Sequence, residues 1–292
     1  MCVDFFFKTF FHFDYSLKID FYYLMNVYYI SKTANMSAAT LTFGDCAENH
    51  VGMEQIGTLS ERGFTLENLE EVRKEIGDGV EIIQLGCDSE DFVTDDAYLL
   101  IIRDGVNKIC DGKLDELKKE QFALVPDRKA FMYGRVVNKH ARGNLCFDDV
   151  GHEPDYENKK GTVISYDRVP ITKLLRERVY DMVGGGKSNI LACEGNYYYD
   201  IKKCGIGFHG DAERRKVVGV RLGESIPLHF QWFYKSSSVG ERIKFDLNDG
   251  DIYIMSEKAV GFDWKKKNIM TLRHAAGCDK FLEIKEKKVK RK

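Results

Sequence analysis

Between about residue 189 and residue 284 the chain is a succession of short apolar runs separated by tight turns. No other feature constrains the fold as much. The runs 189–194, 216–222, 228–234, 242–247 and 251–255 read as strands, and 271–274 and 281–284 add two more. Leu-Gly-Glu-Ser at 222–225, Lys-Ser-Ser-Ser at 235–238 and Asn-Asp-Gly-Asp at 248–251 supply turn chemistry between them. Many short strands with regular turns build a sandwich or barrel. The expected class is α+β: a double-stranded β-helix, or jelly roll, over residues 126–284, with flanking helices and an N-terminal α/β segment over residues 36–125.

In that N-terminal segment, residues 65–76 have helical periodicity opened by Thr65, with Asn68 and Glu70 in the first turns. The apolar runs 80–85 and 97–103 read as buried strands, and 111–121 as a polar helix. No catalytic constellation is evident here. Asp45, Glu48, Asn49 and His50 lie close together in sequence and read as a solvated loop or helix cap. Residues 126–170 read as loop-rich. Residues 170–183 form an amphipathic helix, with Pro170 at its first position and glycines 184–186 ending it. The run 184–188 lacks the glycine spacing of a phosphate loop and follows a helix instead of a strand, so that reading is discarded.

Composition enters where it excludes. Hydrophobic residues make up 43% of the chain, which supports a large core and rules out wholesale disorder. The formal net charge of -2 gives no global signature of a nucleic-acid binder, though a local basic groove is compatible with it. Eight cysteines show no CxxC pair, so they read as free thiols in a reducing compartment, cytoplasmic or nuclear, with no disulfide-linked partner. Residues 1–35 are crowded with Phe and Tyr, but charges interrupt every apolar run before it could span a bilayer, so no membrane partner is expected. Those residues read as a dispensable extension ahead of Met36. Residues 285–292 read as a basic tail.

The stretch 196–215 carries the chemistry. It contains His209-Gly-Asp211, and on an extended segment residues two apart point to the same side. One imidazole and one carboxylate can therefore face one metal ion. A distal histidine would complete the facial triad of non-haem Fe(II) oxygenases, which leaves coordination positions open. Upstream stands Asn196-Tyr-Tyr198, and downstream Gly250-Asp251 precedes an apolar run ending at Met255.

This motif order resembles the catalytic core of the AlkB-like Fe(II)- and 2-oxoglutarate-dependent dioxygenases, over roughly the last third of the chain. The resemblance implies that His209 and Asp211 bind iron and that Asn196 and Tyr198 hydrogen-bond 2-oxoglutarate. It implies an oxidative demethylase of nucleic-acid bases. The third ligand departs from the family pattern, because residues 256–266 contain no histidine. Two readings stand. In the first, 257–270 is an insertion and His274 is the distal ligand. In the second, Thr271-Leu-Arg273 matches the family's final strand, Arg273 grips the 2-oxoglutarate C5 carboxylate and the distal histidine is lost. The first is favoured, with Arg273 still preferred over Lys280 or Lys285 for the carboxylate because a guanidinium can bind it bidentately. Adjacent strand residues point to opposite faces, so Arg273 and His274 can share a pocket only across a bulge. His229 reads as a core or surface residue.

A nucleic-acid partner follows from the resemblance, with a groove drawn from Arg214, Arg215, Lys216 and Arg221 and from Arg135, Lys139, His140 and Arg142, interleaved with Tyr133 and Phe147. Two alternatives remain: a dioxygenase that hydroxylates a protein or small molecule, and a non-catalytic jelly-roll module with a decayed metal site.

Overall fold

The computed structural model describes residues 37–89, 91–184 and 191–284. The extension 1–35, the glycines 185 and 186, Lys285 and the basic tail 285–292 lie outside them. In chain order the elements are β1 (Ala38–Gly44), β2 (Cys46–Glu48), β3 (Gln55–Gly57), α1 (Leu66–Ile76), β4 (Val80–Gln84), β5 (Tyr98–Ile102), α2 (Gly105–Ile109) and α3 (Leu114–Phe122). Then come β6 (Lys129–Met132), β7 (Arg135–Asn138), β8 (Gly143–Asp148), β9 (Val163–Ser165) and α4 (Pro170–Met182). The strand-rich part holds β10 (Ala192–Tyr198), β11 (Gly205–His209), β12 (Val217–Gly223), β13 (Leu228–Tyr234), β14 (Ser237–Phe245), β15 (Ile252–Met255), α5 (Glu257–Val260), β16 (Thr271–Gly277) and α6 (Asp279–Leu282).

Two sheets dominate this mixed α/β fold. The larger has eight strands in the order β4-β5-β15-β12-β1-β10-β8-β9, antiparallel except for β8 with β9. The smaller is antiparallel, in the order β11-β16-β13-β14. Period-two alternation explains how the larger sheet serves two neighbours. On β1, Ala39, Leu41 and Phe43 join a core with Leu69 and Val72 of α1, Leu117 of α3 and Leu175 and Val179 of α4. Thr40 and Thr42 turn the other way and line a cavity. On that second face Val217, Tyr253 and Met255 pack with Phe230, Trp232 and Leu272 of the smaller sheet. Each fully buried side chain of this size contributes about 1.5–3 kcal/mol relative to exposure, so both interfaces are substantial.

The boundary expected at residue 125 does not divide the fold. β1 lies between β10 and β12, while β4 and β5 extend the same sheet beyond β15. Backbone groups of central strands must be paired, and here the N-terminal strands pair them. The region 126–170, expected to be loop-rich, contributes the buried strand β8, whose three-residue apolar centre is masked in sequence by polar and charged neighbours. The strand expected at 281–284 is instead the helical turn α6, which seats Phe281 against Gly205. The helix expected from Thr65 forms with a capping box: the Thr65 hydroxyl accepts from the Asn68 amide at 3.4 Å, and the Asn68 side-chain oxygen accepts from the Thr65 amide at 3.1 Å. Among the described residues no helix is long and apolar enough to cross a membrane, and all cysteines are free thiols.

Candidate metal centre

β11 ends at His209, and its register partner across the smaller sheet is His274 on β16. A register shift between Ile206 and His209 brings the two imidazoles to the same face, with ring centroids 4.5 Å apart. Asp211 follows after one residue, its amide donating to the Val260 carbonyl at 3.0 Å. Asp211 Oδ1 stands 3.5 Å from His209 Nε2 and 3.6 Å from His274 Nε2. Potential ligand atoms of all three lie within 4.8 Å of one another. Gly210 is required between the ligands, because a Cβ there would overlap the Gly261 carbonyl oxygen and stand 2.8 Å from Trp264 Cβ.

The donor set suits a divalent transition metal. His209 Nδ1 lies 2.8 Å from the Gly207 carbonyl, which can only accept, so Nδ1 carries the proton and Nε2 keeps its lone pair. Burial and the neighbouring His274 lower the His209 pKa to about 3, so the ring is neutral at neutral pH. Burial alone would raise the Asp211 pKa, but His274, Arg214 and His209 outweigh it and hold the carboxyl well below its ordinary range. His274 Nδ1 is buried without a hydrogen-bond partner. Two imidazoles and a carboxylate whose ligand atoms lie this close are the chemistry of a three-residue facial site, and the group could hold a divalent metal ion such as Fe(II).

Behind Asp211 a buried guanidinium organises the carboxylates. Arg214 donates to Glu194 at 2.5 Å and to Glu213 at 2.8 Å, and approaches Asp211 at 3.7 Å. Removing one partner from such a cluster strands a buried charge.

The three residues open on a cavity of about 350 Å³. Its wall includes Thr40, Tyr198, Arg221 and Tyr253 from the larger sheet. Arg221 is 1% exposed; its Nη1 donates to Thr40 Oγ1 at 2.5 Å, and no carboxylate pairs with it among the described residues. A buried cation without a counterion is costly, which marks this wall as a place for an anionic group of a ligand. Burial pushes the Tyr253 hydroxyl up to about 12, keeping it a neutral donor.

Asn196 and Tyr198 line the cavity. Asn196 is already engaged: its side-chain oxygen accepts from Arg142 Nε at 2.5 Å and Asn144 Nδ2 at 2.8 Å, and its Nδ2 donates to Glu194 at 3.0 Å. His274 reaches the site; Arg273 does not. Strand alternation sends the Arg273 guanidinium to the other face, where it lies 4.0 Å from the Phe233 ring centroid and 5.3 Å from that of Trp264. The carboxylate role expected for Arg273 is therefore corrected. Lys280 is exposed on α6 and also lies away from the cavity. His229 is buried on β13, outside the cavity lining.

The solvated reading of residues 45–50 is corrected as well. Asp45 is fully buried and accepts from the amides of Ser60, Arg215 and Lys216, tying β1 to the segment after Asp211. Glu48, Asn49 and His50 line the cavity. Burial, with Glu213 and Glu194 nearby, raises Glu48 to about 7. The expected basic groove is largely dismantled: Arg214 and Arg221 are interior, Phe147 is core, and burial lowers Lys139 to about 8. The signal that could have found Arg221 is an arginine inside the apolar run Val-Val-Gly-Val-Arg-Leu of β12.

Fold and site together define a mixed α/β protein in which two largely antiparallel sheets enclose a cavity with a His-Asp-His group on its wall. No protein-family model matches the chain. Over 250 residues it is 49% identical to an uncharacterized protein of Acanthamoeba polyphaga mimivirus, covering 84% of this chain and 97% of that protein. The chain belongs to the same family as that viral protein.

Proposed function

We propose that this protein is an Fe(II)- and 2-oxoglutarate-dependent dioxygenase, with His209, Asp211 and His274 as the iron ligands. The observation that carries the reading is the convergence of these three side chains, from two paired strands and the segment after the first, on a cavity that also holds a buried arginine without a counterion among the described residues. Bound Fe(II) and 2-oxoglutarate would supply oxidation by O₂ coupled to decarboxylation of the keto acid to succinate. The chain's own residues orient and neutralise. The Gly207 carbonyl fixes the His209 ring, Arg214 holds Asp211, and Arg221 with Thr40 receives the distal carboxylate in the role first expected of Arg273. On this reading the two sheets form a jelly roll, with β1 filling the place between β10 and β12.

For the substrate we retain a methylated nucleic-acid base. The observation in its favour is the hairpin β6–β7, which carries Lys129, Arg135 and an exposed Tyr133 and leads to Arg142 at the cavity wall. A protein or small-molecule substrate is the second reading, favoured by the carboxylates Glu48 and Glu213 in the lining.

The test is succinate formation by purified protein with Fe(II), ascorbate and 2-oxoglutarate under air, beside anaerobic iron titration. Iron-dependent succinate that disappears in His274→Ala is expected. An iron-free protein that makes no succinate would leave the decayed binding module as the better reading. Oligonucleotide binding that weakens with salt and in Tyr133→Ala supports the nucleic-acid substrate; no binding at low salt overturns it.

A further inference from the structure

We propose that Cys204 and Cys278 form a reversible cross-strand disulfide at the foot of the two strands that carry His209 and His274. Cys204 immediately precedes β11 and Cys278 immediately follows β16. Gly205 and Gly277 are register partners, so the two cysteines stand opposite each other one step further out. The Cys278 amide donates to the Cys204 carbonyl at 3.1 Å, while the Cys204 amide turns back to the Asp200 carbonyl at 2.9 Å, so one of the two bonds of an opposed pair is made here. Opposed residues of an antiparallel ladder lie about 4.5–5.5 Å apart at Cα, inside the roughly 4.4–6.8 Å that disulfides span. Opposed side chains also leave the ladder on the same face. Ile206 and Ala276, two residues inward, already meet in one apolar cluster with Cys204.

The two strands approach each other closely here. Gly205 and Gly277 approach so closely that a Cβ on Gly277 would overlap the Gly205 α-carbon. Among the described cysteines no other two occupy opposed ladder positions: Cys193 faces Phe43 and Phe147, Cys146 faces Glu194 and Val163, and Cys46 faces Gly57. Access is graded as a stepwise exchange requires, with Cys278 half-buried and Cys204 buried.

With glutathione disulfide as oxidant the step balances. The Cys278 thiolate attacks one glutathione sulfur and releases one glutathione thiolate. Cys204, as it loses its proton, displaces the second glutathione from the mixed disulfide. Two thiols become one S–S bond, and one glutathione disulfide becomes two glutathione thiols. The bridge would fix the spacing of β11 and β16 and so, on the proposed metal reading, the spacing of two iron ligands.

The experiment incubates the full chain with glutathione disulfide and maps its peptides without reduction. Expected are a Cys204–Cys278 linked peptide, loss of Cys278 alkylation, and a rise in Tm of about 5–10 °C that a thiol reductant reverses. Cys278→Ser, at a half-buried position, should fold normally and show neither the link nor the shift. Glutathione adducts without the link, a Cys278 still alkylated after prolonged oxidation, or a link between other cysteines would overturn the proposal. Iron titration of the reduced and oxidised forms separates the two ideas: iron bound by neither form counts against the metal centre and leaves the bridge standing.

Discussion

Replacing Arg221 with methionine should weaken ligand binding far more than it disturbs stability. The guanidinium is 1% exposed, has one hydrogen bond to Thr40 and has no carboxylate partner among the described residues. Met has a similar reach and no charge. Its introduction removes the desolvation penalty of a buried ion, a change often worth about 1–4 kcal/mol in favour of the folded state. The lost hydrogen bond costs about 1–3 kcal/mol. The two nearly offset, so the ligand-free variant should stay within about 2–3 kcal/mol of the parent. If Arg221 receives the distal carboxylate of 2-oxoglutarate, the same change deletes a buried charge-assisted contact worth about 2–4 kcal/mol, or roughly 30- to 1,000-fold in affinity. Urea denaturation of the apo-protein and anaerobic 2-oxoglutarate titration of the Fe(II) form read the two quantities separately. A variant destabilised by more than about 3 kcal/mol, with 2-oxoglutarate affinity unchanged, would refute the reasoning and make Arg221 a structural residue.

Three further outcomes are expected. Gly210→Ala forces a Cβ onto the Gly261 carbonyl; it should cost about 2–3 kcal/mol and weaken metal retention at least tenfold, and near-parental values in both assays would show that the 261–264 loop can yield. Thr65→Ala removes one arm of a capping box remote from the cavity, so the urea midpoint should fall by the equivalent of about 1 kcal/mol with iron binding unchanged. The pH profile of the apo-protein should slope both ways. His209 stays neutral in the folded state down to about pH 3, whereas an unfolded histidine protonates near 6.5, so its contribution is full above 6.5 and is lost as the pH falls toward 3. Glu48 behaves oppositely: raised to about 7 from 4.5, it makes stability decline as the pH climbs between those values. Urea midpoints from pH 4 to pH 8 check both slopes. Between about pH 4.5 and pH 6.5 the two slopes oppose each other, so Glu48→Gln should steepen the rise in that interval, and an unchanged profile in that variant would remove Glu48 from the account.

Much of the strand-rich half was legible because its signals are local. β13 falls on the expected residues, and β12 and β15 fall within one residue of theirs. Apolar runs of four to seven residues between turn-forming clusters leave few other conformations. Arg273 shows where local reasoning stopped. Its guanidinium chemistry was suitable, but a strand has two faces, and sequence does not say which faces the cavity unless one residue is already placed. Once His274 joins His209 in register, alternation removes Arg273. The N-terminal part was obscure for a different reason. β1 is a buried central strand, yet its Ala-Ala-Thr-Leu-Thr-Phe-Gly sequence carries no sign of its partners, which lie more than a hundred residues away.

What the sequence determined by itself was the presence of strands, the helix starts at Thr65 and Pro170, and a His-x-Asp pair presented on one side of an extended segment. Backbone geometry and capping chemistry set all of these within a few residues. Only the tertiary structure decided that His274 completes the group, that Arg221 instead of Arg273 stands in the cavity wall, and that residues 38–50 belong beside the site. Those facts depend on strand register and on which face of each strand is enclosed. Both are fixed by long-range pairing and by burying apolar area between layers, whose partners no local pattern names.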